Sequence, residues 1–225
     1  MATADRLVQR SDLDMVYLIH RAIRVEVNAF NEVVPALTFS GQERVKRLVD
    51  WYDFVQRAVE LHHKGEDAVI CPMLTAKRPE FAEDQARLAE QHRQLTTFMR
   101  EAGGALEELA QATDAEFTQK RDETAAKFHT LKEYMDGHLG DEEDKSLLPC
   151  AMLCMTIKEM KKVERQGAKE TSFSDLALLL PWVLSVATEE EKKSMGDVIP
   201  WFIMLVYRWF WKRKFERLSS PLKAA

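Results

Sequence analysis

The chain has 225 residues, 46% of them apolar, a formal net charge of −5, and only 8 glycines and 7 prolines. That apolar share suffices for a core, the abundance of Ala, Leu, Glu, Lys and Arg favours helices, and the acidic balance argues against a general nucleic-acid binder. No apolar run reaches the roughly 18–20 residues of a spanning helix, the opening MATADRLVQRSD is polar, and three cysteines make no disulfide framework, so the expectation is a cytoplasmic protein.

Four amphipathic segments come first. One runs from about Asp12 to Phe30 with Val16, His20, Ile23 and Val27 as its apolar stripe. SGQE at residues 40–43 reads as a capping box opening the second segment, whose stripe is Leu48, Tyr52, Val55, Val59, His62 and Glu66. CPMLTAKRPE, with Pro72 and Pro79, reads as a connection. The third stripe is Leu88, His92, Leu95 and Met99, with Gly103-Gly104 as its expected end. TDAE at residues 113–116 opens the fourth, with Thr124, Phe128, Leu131, Met135, His138 and Glu142 facing one way. Residues three and four apart share a helix face, and short connections favour antiparallel neighbours, so the expected fold is all-α: an up-and-down four-helix bundle over residues 1–150. Residues 151–225 read as a helical extension packed on the bundle or at an interface. It comprises a fifth helix stopped at Gly167, then SFSDLALLLPWVLSVAT and VIPWFIMLVYRWFWKRKFERL.

All four stripes place a histidine where a bundle core wants Leu or Ile, and two place a glutamate one turn later. Two buried carboxylates demand compensating positive charge, and no Lys or Arg lies on the stripes near that turn. A metal ion or ion pair meets the demand, with imidazole and carboxylate suited to iron, zinc or manganese. His129 falls half a turn off its stripe and reads as exposed, while His63, about 100° from His62, is either a boundary residue or an extra ligand. Cys150 and Cys154 read as small buried thiols rather than a metal pair. Ferritin-like di-iron bundles use two Glu-x2-His units, and only Glu60–His63 has that spacing here.

The motifs VYLIHRAIRVEV, ELHHKGEDAVICP, AEQHRQL and GHLGDEEDKSLLP, in that order, resemble those of hemerythrin-like (HHE cation-binding) domains over roughly residues 10–150. The tail resembles the extra helices of bacterial and fungal members. The resemblance implies two iron ions, oxo- or hydroxo-bridged, held by terminal histidines and two bridging carboxylates. Carried over by position, the metal ligands are His20, His62, Glu66, His92, His138 and Glu142. The common third-helix pattern His-x3-His is incomplete, because Leu88 and Thr96 flank His92. His63, Tyr134 or Tyr17 could stand in, although packing suits both tyrosines better. The family's usual carboxylate spacing selects Glu143, whereas helical phase selects Glu142.

The function the resemblance implies is O2 binding or peroxide reactivity at the iron pair, with the missing histidine tilting towards reactivity, including catalase- or peroxidase-like breakdown. The alternative is an iron- or oxygen-sensing module without turnover. The expected partner is a small molecule. The Trp-rich, basic last segment suits a membrane surface or, as the favoured reading, contact with the bundle or with a second copy in a homodimer.

Overall fold

The computed structural model describes residues 5–198 and 201–222. Residues 1–4 and 223–225, together with Ile199 and Pro200 of the last apolar segment, lie outside them. The helices are α1 (Asp14–Val33), α2 (Gln42–Gly65), α3 (Cys71–Lys77), α4 (Ala82–Ala110), α5 (Asp114–Asp144), α6 (Leu147–Cys154), α7 (Ile157–Glu170), α8 (Phe173–Val186), α9 (Glu189–Val198), α10 (Trp201–Val206) and α11 (Lys212–Ser219). Among the described residues the only bridge of β type joins Leu7 to Thr156.

All four stripes face inward, and α1, α2, α4 and α5 form the four-helix bundle, each packing on the next and α5 returning to α1. His20 and His92 lie early in their helices while His62 and His138 lie late in theirs, so helices that meet at one level run alternately up and down. Roughly three turns further along, at about 1.5 Å per residue, Phe30, Tyr52 and Phe128 make an aromatic layer. Phe30 stacks on Phe128 at 5.0 Å, with Tyr52 edge-on to both at 5.1 and 5.2 Å.

That layer explains why α4 does not end at Gly103-Gly104 as the sequence suggested. The helix continues to Ala110, and a Cβ at Gly103 would meet Tyr52 Cε1 at 3.1 Å. Glycine is there to admit the tyrosine ring, whose hydroxyl donates to the Met99 carbonyl at 2.9 Å. Three other local readings are corrected. SGQE caps no helix: residues 39–41 form a 3-10 turn, Gly41 precedes α2, and Glu43 pairs with Lys46. CPMLTAKRPE is largely helical rather than a connection, since Cys71–Lys77 is α3. The fifth helix is two, broken at Met155-Thr156; the second is opened by the capping box of Thr156 and Glu159 and runs past Gly167 to Glu170. The box at Thr113 and Glu116 forms as read.

The tail shares the bundle's core. Leu180, Trp182, Val183, Trp211 and Phe215 are buried in the same apolar cluster as Val27, Trp51 and Val55. A second cluster caps the other end of the bundle, built from Val8, Leu13, Ile70, Leu74, Phe81 and Leu147. Glu26 fastens tail to bundle: its buried carboxylate accepts from the Trp51 indole at 2.9 Å and from the Trp182 indole at 3.2 Å. Burial lifts its pKa from 4.5 to about 7, although both indole donors favour the ionised form.

A carboxyl that resists ionisation when folded makes stability fall as pH rises from its unfolded value towards its folded one, here from 4.5 to about 7, and level off above. Glu26→Gln has no such proton. In urea unfolding of both proteins without metal, the wild type should lose ground to the variant across that window by up to about 3 kcal/mol. A difference that stays constant with pH would refute the assignment.

Candidate metal centre

The cluster is assembled from the bundle's four helices and one irregular turn. After Gly65, residues Glu66–Ile70 form a π-turn in which the Cys71 amide bonds the Glu66 carbonyl five residues back. Pro72 accounts for the widening, because it lacks an amide proton and its ring would collide with the Ala68 carbonyl in a regular helix. Glu66 thereby sits at the hinge between α2 and α3 and remains 1% exposed.

Two groups of side chains face each other. His20, His62, Glu66 and Glu142 form one, and His63, His92 and His138 the other, with the ligating atoms of each group within 4.8 Å of one another. The carboxylates span both. Glu66 Oε1 lies 3.3 Å from His62 Nε2 and 3.9 Å from His20 Nε2, while its Oε2 lies 3.7 Å from His92 Nε2. Glu142 Oε2 lies 3.6 Å from His20 Nε2, and its Oε1 lies 3.4 and 3.5 Å from His92 and His138 Nε2. His20 and His62 bring their Nε2 atoms to 3.0 Å. Two nitrogens about 2.1 Å from one ion, on neighbouring coordination positions, would be separated by about that distance.

Hydrogen bonds at the periphery set the histidines. The Nδ1–H of His20 donates to Glu143 Oε1, that of His92 to Asp67 Oδ1, and that of His138 to Gln91 Oε1, each at 2.9 Å. Such bonds aim the Nε2 lone pair inward and fix the ring plane. Inside, seven buried atoms have no hydrogen-bond partner: Nε2 of His63, His92 and His138, and all four carboxylate oxygens of Glu66 and Glu142. Buried polar atoms are seldom left so. Unpartnered carboxylate oxygens and imidazole nitrogens gathered in one buried space fit a cation.

Charge in the cluster divides unevenly. Burial opposes protonation of His20 and His92, yet hydrogen bonds to Glu143 and Asp67 respectively, together with Glu66 and Glu142, raise both to about 9. Burial drives His62 down to about 4 and His138 to about 3, and His63 falls well below its ordinary value for the same reason. Burial and the neighbouring Glu66 charge push Glu142 up to about 7; Glu66 itself is held ionised despite burial, by the surrounding histidines. Protons and a metal ion therefore compete for the same nitrogens.

All six carried-over residues meet at this point, and His63 joins them from α2 with its ring stacked on His92 at 4.1 Å. Glu143 stays outside, clamped by Arg24 and bonded to His20, which holds its own pKa down to about 2 although burial acts the other way. The two tyrosines are elsewhere. Tyr17 lies beneath the Arg10 guanidinium, and Tyr134 packs on Phe98. His129 is exposed and pairs with Glu133, and Cys154 donates to the Cys150 carbonyl away from the cluster. Asp67 and Gln91 lie off the apolar stripes. Each is adjacent in sequence to a cluster residue, Glu66 and His92, but each orients a histidine on another helix.

Residues 11–151 match the Hemerythrin HHE cation binding domain. The chain belongs to that family. Comparisons with curated proteins and with solved structures gave no significant match. As a hemerythrin HHE protein the chain is a cation-binding module, and the His/Glu cluster in its core is compatible with that.

Two outcomes follow for this HHE cluster. Since His20 and His92 hold protons to about 9, loading a divalent ion near neutral pH should release about two protons and weaken as pH falls. Anaerobic calorimetry in buffers of different ionisation enthalpy measures this, and zero release contradicts it. Asp67→Ala should lower metal affinity about 10- to 100-fold while barely moving the melt of the metal-free protein. An unchanged affinity would mean that Asp67 does not orient His92.

Proposed function

We propose that this HHE domain holds two iron ions and that it binds O2 or reacts with peroxide there. One observation carries the reading: each of the two buried carboxylates turns one oxygen towards the His20 side and the other towards the His92 side. Such an arrangement suits a pair of cations bridged by both carboxylates rather than a single ion. His20 and His62 would hold one ion and His63, His92 and His138 the other, so His63 takes the place that the third helix leaves to Leu88 or Thr96. An iron pair supplies two one-electron redox steps and a Lewis-acid pull on a small oxygen ligand.

The chain's part is to hold and shield. Glu143, Asp67 and Gln91 accept from the Nδ1–H of three imidazoles and so turn Nε2 of each towards the cluster. Arg24 keeps Glu143 out of the cluster by pairing with it at 2.7 Å. Leu48, Val55, Val59, Leu95 and Leu131 are buried walls on one side, and the second apolar cluster closes the other, which limits the access of water. A surface cleft of about 390 Å³, lined by Arg87, Gln91, Tyr134, Gly137, His138 and Asp141, reaches the cluster at His138.

Metal analysis and near-ultraviolet spectroscopy of the purified protein test the proposal, followed by dithionite and re-exposure to air. About two irons per chain, with an absorption band that bleaches on reduction and returns in air, is the expected result. His62→Ala should lose iron and any peroxide turnover together. Zinc alone, or iron without a redox-responsive band, would overturn the redox reading.

A further inference from the structure

Residues 201–219 present two faces. Inward, Trp211 and Phe215 are buried, and the Phe215 ring meets Trp51 at 5.4 Å. Outward, Trp201, Phe202, Trp209 and Phe210 are 75%, 52%, 67% and 70% exposed, and Leu205 is exposed with them. Trp201 and Leu205 lie four apart on one side of α10, and Trp209 follows, exposed, in the π-turn Tyr207–Trp211 that leads into α11. Phe173 of α8, also exposed, touches Trp211 at 5.2 Å and borders the patch. Scattered exposed apolar residues are ordinary, but a contiguous set of large aromatics marks an interaction surface.

Charge decides what that surface meets. Arg208, Lys212, Arg213, Lys214 and Arg217 are all exposed beside the aromatics. Glu216 is the one acid from 207 to 219, within a chain whose net charge is −5. Tryptophans flanked by Lys and Arg are the composition of a helix lying in a lipid interface, rings at headgroup depth and cations against anionic phosphates. Spanning is a different matter: no helix among the described residues is long and apolar enough to cross a membrane. A second copy meeting the same patch across a two-fold axis would set these basic groups against their own images, which repel.

We propose that the outer face of residues 201–217 docks the protein on an anionic lipid surface, the helix lying in the plane of the membrane. This rests on the tail alone and stands whichever metal the bundle holds.

Co-sedimentation of the full-length protein with vesicles tests it. Phosphatidylcholine vesicles should bind little, and equimolar phosphatidylcholine and phosphatidylglycerol should bind at least tenfold more, with the difference shrinking as salt rises. Lys212→Glu with Arg213→Glu should reduce partition to anionic vesicles about tenfold or more. Trp201→Ser with Trp209→Ser should abolish it. These side chains are exposed, so unchanged far-ultraviolet melts establish that the variants fold. Failure of the wild type to sediment with anionic vesicles would overturn the proposal, as would variants that bind like the wild type. So would a concentration-dependent dimer that the tryptophan pair disrupts while vesicle binding stays absent, which would assign the face to a second copy.

Discussion

Two carboxylates share one buried space between α2 and α5, and the rest of the bundle is arranged around that constraint. Glu66 and Glu142 are 1% and 0% exposed, and all four of their oxygens lack hydrogen-bond donors. An apolar core could not keep both charged, since burial alone favours the neutral acid and a second carboxylate alongside favours it further. The protein's own groups resolve this only halfway, with Glu66 held ionised by histidines and Glu142 raised to about 7. Cationic charge delivered to the middle of the cluster resolves it fully. The five histidines with inward Nε2 atoms are then lone-pair donors, and the three outer acceptors, Glu143, Asp67 and Gln91, make donation the default tautomer.

Placement follows from the same demand. The cluster sits between the aromatic layer of Phe30, Tyr52 and Phe128 and the second apolar cluster of Val8, Leu13, Ile70 and Leu74. The π-turn at 66–70 connects these levels: it presents Glu66 to the cluster and then returns Cys71 and Leu74 to the cap. A regular helix would continue α2 on one phase, and Pro72 is the residue that forbids it. The local irregularity is therefore encoded six residues from the carboxylate it serves.

What could be read from the sequence was whatever repeats with the helix. The 4-3-4 spacing exposed the four stripes and, within them, His20, His62, His92, His138 and both glutamates, because a core face tolerates such residues only for a reason. Helical phase also preferred Glu142 to Glu143, and the structure puts Glu142 in the cluster and Glu143 on Arg24. Features that depend on a neighbouring helix were not legible. Gly103 looked like a stop because glycine usually disfavours helix, and only the Tyr52 ring opposite explains it. Asp67 and Gln91 lie off the stripes, so one-dimensional periodicity discards them although each meets a histidine across the bundle. His63 was ambiguous for the opposite reason: its phase is intermediate, and its inward turn is fixed by stacking on His92. The box at Ser40 had the right letters, but the chain there tightens into a 3-10 turn before the helix begins.

About two turns of α1 tie the two halves of the molecule together. His20 reaches into the cluster, Arg21 pairs with Glu191 and the Val186 carbonyl, Arg24 holds Glu143, and Glu26 joins Trp51 to Trp182. Neighbouring residues on a helix point about 100° apart, so a stretch this short can touch the His/Glu cluster, the α5 carboxylate and the tail at once. The contacts of His20 and Glu26 are buried and expensive to leave unmade, whereas the more exposed Arg21–Glu191 pair adds little. A displacement of α1 large enough to reposition His20 must therefore break or carry with it the Arg21 and Glu26 contacts, and the C-terminal helices are bound into the same unit as the cluster rather than appended to it.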